Sequence, residues 1–116
     1  MSKYNPKIVI AYFISCGIPI PELEYRFCSD RKWRFDFAWP VLATVSKEPG
    51  SNLDSVALEV QGGIFIQGRH SRGAALLKEW EKLNAAAILG WRILYCQPAD
   101  IYKKETMDMI KRALGI

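Results

Sequence analysis

The segment Arg34-Phe35-Asp36-Phe37-Ala38-Trp39-Pro40 and the later Val56-Ala57-Leu58-Glu59-Val60-Gln61-Gly62-Gly63 both alternate with the two-residue period of a β-strand. That period puts Trp33, Phe35, Phe37 and Trp39 on one face of the first strand and Arg34, Asp36 and Ala38 on the other. In the second, Val56, Leu58 and Val60 share a face, and Ala57, Glu59 and Gln61 take the opposite one. Each apolar strand therefore carries one carboxylate away from its hydrophobic layer. Acids on half-buried strands cost free energy unless a cation answers them, and two neighbouring carboxylates suit a divalent metal. A metal-dependent site at Asp36 and Glu59 is the expectation.

The chain of 116 residues is half hydrophobic, enough for one core and one domain spanning 1–116. Its net charge of +4 and pI near 9.1 bias it mildly towards polyanionic partners such as nucleic acid. Cys16, Cys28 and Cys96 are odd in number and far apart, which fits neither a disulfide framework nor a paired zinc spacing. The apolar run from Ile8 to Ile14 is too short to span a bilayer, and no small-residue cleavage site follows it. These features predict a soluble, cytoplasmic protein with no membrane partner.

Asn5-Pro6 reads as an N-cap and first helical position, and Gly17 with Pro19 and Pro21 ends a helix over 6–16 that buries Ile8, Val9, Tyr12 and Phe13. Ser29-Asp30-Arg31-Lys32 is turn chemistry between strands at 23–28 and 33–39, an antiparallel hairpin. A polar connection over 46–54 leads to a third strand at 55–61, and a polar, glycine-rich loop runs from Gly62 to Gly73. A helix over 74–89 carries Leu76, Leu77, Trp80, Leu83, Asn84, Ala87 and Ile88 at helical spacing and ends at Gly90. Trp91 to Tyr95 is a fourth strand. Pro98 opens a last helix with an apolar stripe through Ile101, Met107, Ile110 and Leu114. The order is α-β-β-β-α-β-α, and the strand-helix-strand passage over 55–96 makes strands three and four parallel neighbours in a mixed sheet.

If the hairpin strand and the next strand are neighbours, Asp36 and Glu59 meet at a common cation while Gln61 points to the same side. Hard oxygen ligands favour Mg²⁺ or Mn²⁺. The competing reading has Asp36 and Glu59 ion-paired with Arg34, Arg26 or Lys32. His70, the one histidine, stands with Arg69 and Arg72 in the glycine-bounded loop, where guanidinium forks and backbone N–H groups can hold phosphate; the alternative is an ordinary surface loop. Trp80 and Trp91 read as core, and Cys28 and Cys96 as small apolar strand residues.

Asp36 followed some twenty residues later by Glu59-Val60-Gln61 resembles the PD-(D/E)XK nuclease superfamily. Glu24-Tyr25-Arg26-Phe27, Trp33-Arg34-Phe35-Asp36-Phe37, Glu59-Val60-Gln61-Gly62-Gly63, Gly68-Arg69-His70, Glu81-Lys82-Leu83-Asn84 and Gly90-Trp91-Arg92 together resemble its small phage-encoded endonucleases. The resemblance implies an α/β fold with a restriction-endonuclease-like α-β-β-β-α-β core, a mixed four-stranded sheet flanked by helices. Gln61 stands where most members carry lysine, and a neutral amide can position a water without supplying positive charge. Lys82 is a substitute for that cation, or a solvated helix lysine. Glu24 occupies the place of an additional acidic ligand, or is a surface carboxylate.

The resemblance implies a DNA endonuclease dependent on Mg²⁺ or Mn²⁺, with Asp36, Glu59 and Gln61 catalytic. Asp36, Glu59, the Val60 carbonyl and Glu24 would hold the metal, and Arg69, His70, Arg72 and Lys82 the phosphates. Compact junction-resolving and nicking relatives imply branched or otherwise structured DNA, cut by a homodimer; the last helix, 98–114, either offers its apolar stripe for that contact or packs it on its own sheet. Two rivals are a non-catalytic nucleic-acid-binding module in which Gln61 marks a decayed site, and a mismatch or homing-type nicking enzyme resembling very-short-patch repair endonucleases.

Overall fold

The Asn5 side chain accepts the Lys7 amide at 2.9 Å, and Pro6 occupies the first helical turn, where its missing N–H is not needed. These two residues start helix α1, Pro6–Ser15, which ends as Gly17 enters the left-handed region at φ 86°. The computed structural model describes residues 4–41, 55–62 and 72–116, with the Arg72 side chain outside that description. Strands β1 (Glu22–Arg26), β2 (Arg34–Trp39) and β3 (Ser55–Val60) follow. Helix α2 (Arg72–Ile88), strand β4 (Trp91–Cys96), a single 3-10 turn at Pro98–Asp100 and helix α3 (Lys104–Leu114) complete the chain. The last helix thus begins at Lys104 and not at Pro98, because the 3-10 turn closes on itself through Ile101 N–H to Pro98 O before α3 starts.

The sheet order is β1-β2-β3-β4. β1 and β2 form the expected antiparallel hairpin, β2 and β3 are antiparallel, and β3 and β4 are parallel from Ser55 opposite Trp91 to Val60 opposite Cys96. The molecule is an α/β domain with a four-stranded mixed sheet and three helices among the described residues.

A core lies on each face of the sheet. Val9, Phe13 and Ile18 of the α1 region and Ile101, Met107 and Ile110 of the α3 region pack on Phe37, Trp39, Val56 and Leu58. Burying side chains of this size stabilises the fold by roughly 1.5–3 kcal/mol each before entropy is counted. The Trp39 indole N–H donates to Pro19 O at 2.8 Å, which ties the proline-rich step to the sheet. On the other face Phe35, Ala38 and Ala57 meet Ala86 of α2, with Tyr25, Phe27, Trp91 and Ile93 around them. Among the described residues no helix is long and apolar enough to cross a membrane.

Three packing expectations need correction. Phe35 does not share a face with Phe37; it joins Ala38 in the α2-side core and stacks on Phe27 at 4.1 Å. Alternation breaks at Asp36, opposite which Glu24 has the left-handed φ of 48°, while the flanking pairs Tyr25–Phe35 and Leu23–Phe37 keep one register. The α2 stripe is also not core: Leu77, Trp80 and Ile88 are 62%, 51% and 84% exposed, while Glu79, Lys82, Leu83 and Ala86 are at least half-buried. Helix α1 buries Val9 and Phe13 but leaves Ile8 exposed, and Tyr12 is half-buried with its hydroxyl donating to Tyr102 O.

Candidate active site

β2 and β3 pair through Trp39–Val56, Ala38–Ala57 and Phe37–Leu58, and then part. One further step in that register would set Asp36 opposite Glu59. The Gln61 N–H points to β4, donating to Cys96 O at 2.9 Å, so the N–H of Val60, one residue back, points to β2. There the Asp36 side chain replaces the missing ladder acceptor: its Oδ2 accepts from Val60 N at 2.7 Å. Burial pushes the Glu59 pKa up, and the neighbouring Asp36 carboxyl adds to that rise.

The Glu59 side chain reaches the α2 face, where the Lys82 Nζ lies 2.6 Å from its Oε1. The same ammonium donates to Arg34 O at 3.2 Å and stands 5.5 Å from the centre of the Phe35 ring. Both side chains are largely buried, so this is a fixed contact and not a solvated surface pair. Burial is the largest influence on Glu59, Lys82 opposes it, and Asp36 reinforces it; the net result is a carboxyl raised to about 7. An acid poised there holds and releases a proton near neutrality. One turn before Lys82, the Glu79 Oε1 is buried and has no hydrogen-bond partner among the described residues, and Glu79 and Glu59 both act electrostatically on the Tyr95 hydroxyl, which burial in the first place raises to about 12.

Asp36 and Glu59, one of them with a raised pKa, share a single ammonium, that of Lys82, so the pair carries more acid than base when both are ionised. Such a donor set fits a hard divalent cation that keeps several waters. No third acid among the described residues completes an all-protein ligand group. Glu24 is exposed on β1 with its left-handed backbone. It acts, after Asp36, on Tyr4, whose hydroxyl burial, these two acids, Cys96 and Glu59 raise to about 12. Arg69 and His70 lie outside the described residues, as does the Arg72 side chain; Arg72 opens α2.

Gln61 is half-buried and lines a half-open cleft of about 260 Å³ with Tyr95, Cys96, Gln97 and Asp100, at the carboxyl ends of the parallel strands β3 and β4. Gly62 follows, passing so near Pro98 that a Cβ there would sit 3.3 Å from the proline Cγ. The Cys96 thiol is pushed up to about 11 by burial, Asp100 and Asp36, which makes it a poor nucleophile. Tyr4, Glu79 and Tyr95 escaped the sequence reading: Tyr4 lies before the first helix in no motif, and Glu79 is visible only as the residue one turn before Lys82. No family model, curated protein or solved structure matches the chain.

Proposed function

We propose that this chain is a metal-dependent DNA endonuclease of the PD-(D/E)XK type, with a restriction-endonuclease-like core. The observation that carries the reading is the meeting of Asp36 and Glu59 with the Lys82 ammonium 2.6 Å from Glu59 Oε1, at the splayed end of two neighbouring strands. Lys82 reaches Glu59 from helix α2, offering in space the cation that the sequence lacks at Gln61.

In this reading Asp36, Glu59 and the Val60 carbonyl would hold Mg²⁺ or Mn²⁺, which would supply charge stabilisation at the scissile phosphate and acidify a water. Asp36 is kept in place by the Val60 amide. Glu59 stays ionised only with positive charge beside it, and Lys82 provides part of that charge. Lys82 also sets an ammonium where a phosphate oxygen needs a donor, and Gln61 orients the attacking water through its amide. Glu24 contributes from the rim. Arg69, His70 and Arg72 would extend the phosphate contacts.

The basic charge balance favours contacts to DNA phosphates, and the resemblance to junction-resolving and nicking enzymes points to branched or nicked DNA read by shape. The α3 stripe packs on its own sheet, so a two-fold partner must use another surface. Incubation with single-stranded, duplex, nicked and four-way DNA in Mg²⁺ or Mn²⁺ tests the reading. Cleavage by the wild type and none by Asp36→Asn supports it; binding without cuts in either metal identifies a nucleic-acid-binding module instead, and nicking restricted to one sequence identifies the mismatch-type enzyme.

A further inference from the structure

The cleft lined by Gln61, Tyr95, Gln97 and Asp100 sits one step along the strands from the acidic corner: Tyr95 is the register partner of Glu59, and Gln61 is two residues beyond it. The carboxyl ends of adjacent parallel strands are the usual place for a bound ligand in an open α/β sheet. The lining has the chemistry of a heteroaromatic ring site. Tyr95 brings an aromatic ring, 40% exposed for a residue on a sheet strand, while Gln61 and Gln97 each bring an amide that both donates and accepts. Asp100 is an acceptor only. Its Oδ1 is bound by Lys103 at 2.9 Å, which sets an exposed ammonium beside the cleft, and a carboxylate has acceptor capacity for more than one donor. A volume of about 260 Å³ is below that of most drug-sized sites and suits one planar ring system.

We propose that this cleft binds one unstacked nucleobase of the strand whose phosphate lies at Asp36 and Glu59, and that it favours bases carrying an exocyclic amino group. The proposal rests on the nuclease reading for the position of the phosphate. The ring of Tyr95 supplies stacking, the Gln97 amide bonds the ring edge, and the Asp100 carboxylate accepts from the amino group, which thymine lacks. The exposed Lys103 ammonium is placed for a flanking phosphate.

The test measures fluorescence anisotropy of the full chain with labelled single-stranded oligonucleotides of equal length, all-dA, all-dC, all-dT and all-abasic, at one salt concentration. The abasic strand should bind about tenfold or more weakly than dA or dC, with dT between them. Tyr95→Ala should erase the gap between base-bearing and abasic strands and leave abasic binding as it was, whereas Tyr95→Phe should restore it. Asp100→Asn should bring dT level with dA and dC. Equal binding of abasic and base-bearing strands by the wild type, or an unchanged gap in Tyr95→Ala, overturns the proposal. Cleavage assays on the same proteins separate the two failures. Activity that depends on Asp36 together with no base effect sinks only the cleft, and a base effect without any cleavage sinks only the nuclease.

Discussion

Asp36 accepts the Val60 amide at 2.7 Å with its side chain, where a backbone carbonyl of β2 would ordinarily do so. The carboxylate is thereby both a structural acceptor and a functional candidate, and substitutions can separate the two roles. Asp36→Asn keeps an oxygen for Val60, so it should fold with a melting temperature close to wild type while cleavage falls by about a hundredfold or more. Asp36→Ala removes the acceptor as well and should cost a further 1–3 kcal/mol or so in chemical denaturation.

Lys82 holds the Glu59 pKa down against burial. In Lys82→Met the carboxyl should therefore titrate above its present value of about 7, and the pH at which metal-dependent cleavage reaches half its maximum should move upward. A pH–rate profile of the two proteins checks this. An unmoved profile would mean that Glu59 ionisation does not limit the reaction.

Stability should carry the same signature. Glu59 is raised from 4.5 in the unfolded chain to about 7 in the fold, so between those values the folded state holds more protons than the unfolded one. The associated stability is present at low pH and is lost as pH rises from about 4.5 through 7, by up to roughly 3 kcal/mol at 1.4 kcal/mol per unit. Thermal melts of the metal-free protein across this window should show that fall, Glu59→Gln should flatten it, and added Mg²⁺ should raise the melting point most at the high-pH end, where the carboxylate is ionised.

Glu24 is the non-glycine residue with positive φ among the described residues. Glu24→Gly relieves the left-handed backbone and should raise stability by about 1 kcal/mol or less in urea titration. A simultaneous loss of cleavage would assign its carboxylate to the reaction, and unchanged cleavage would leave it a surface acid.

The outward stripe of α2 predicts unusual tolerance. Trp80→Glu and Ile88→Lys should each change stability by no more than about 0.5 kcal/mol, whereas Leu58→Ala, fully buried, should cost roughly 2–5 kcal/mol. Calorimetry of the three variants decides whether the stripe is solvent-facing.

The hairpin, the parallel pair and the neighbourhood of Asp36 and Glu59 were legible in the sequence because each rests on short-range signals. These are turn residues at 29–32, alternation in β2 and β3, and one helix between β3 and β4, the crossover that lets neighbouring strands run parallel. The face of Phe35 is not legible in the same way: it breaks the alternation next to the level where Glu24 has a left-handed backbone, and no residue type announces that. The inward face of α2 was illegible for a different reason. Apolar residues occupy two sides of the helix, and the choice between them turns on Lys82 meeting Glu59, a contact between residues 23 apart. The Arg69-His70 part of the expected phosphate site lies outside the described residues.

The acidic pair and its ammonium come from β2, β3 and α2, with Lys82 and the Arg34 carbonyl it binds separated by 48 positions. A ribosome that has released β2 and β3 but not α2 presents carboxylates with no lysine to balance them. If the corner cuts DNA, a nascent chain is harmless until α2 emerges and docks, so the order of synthesis itself delays the onset of nuclease activity.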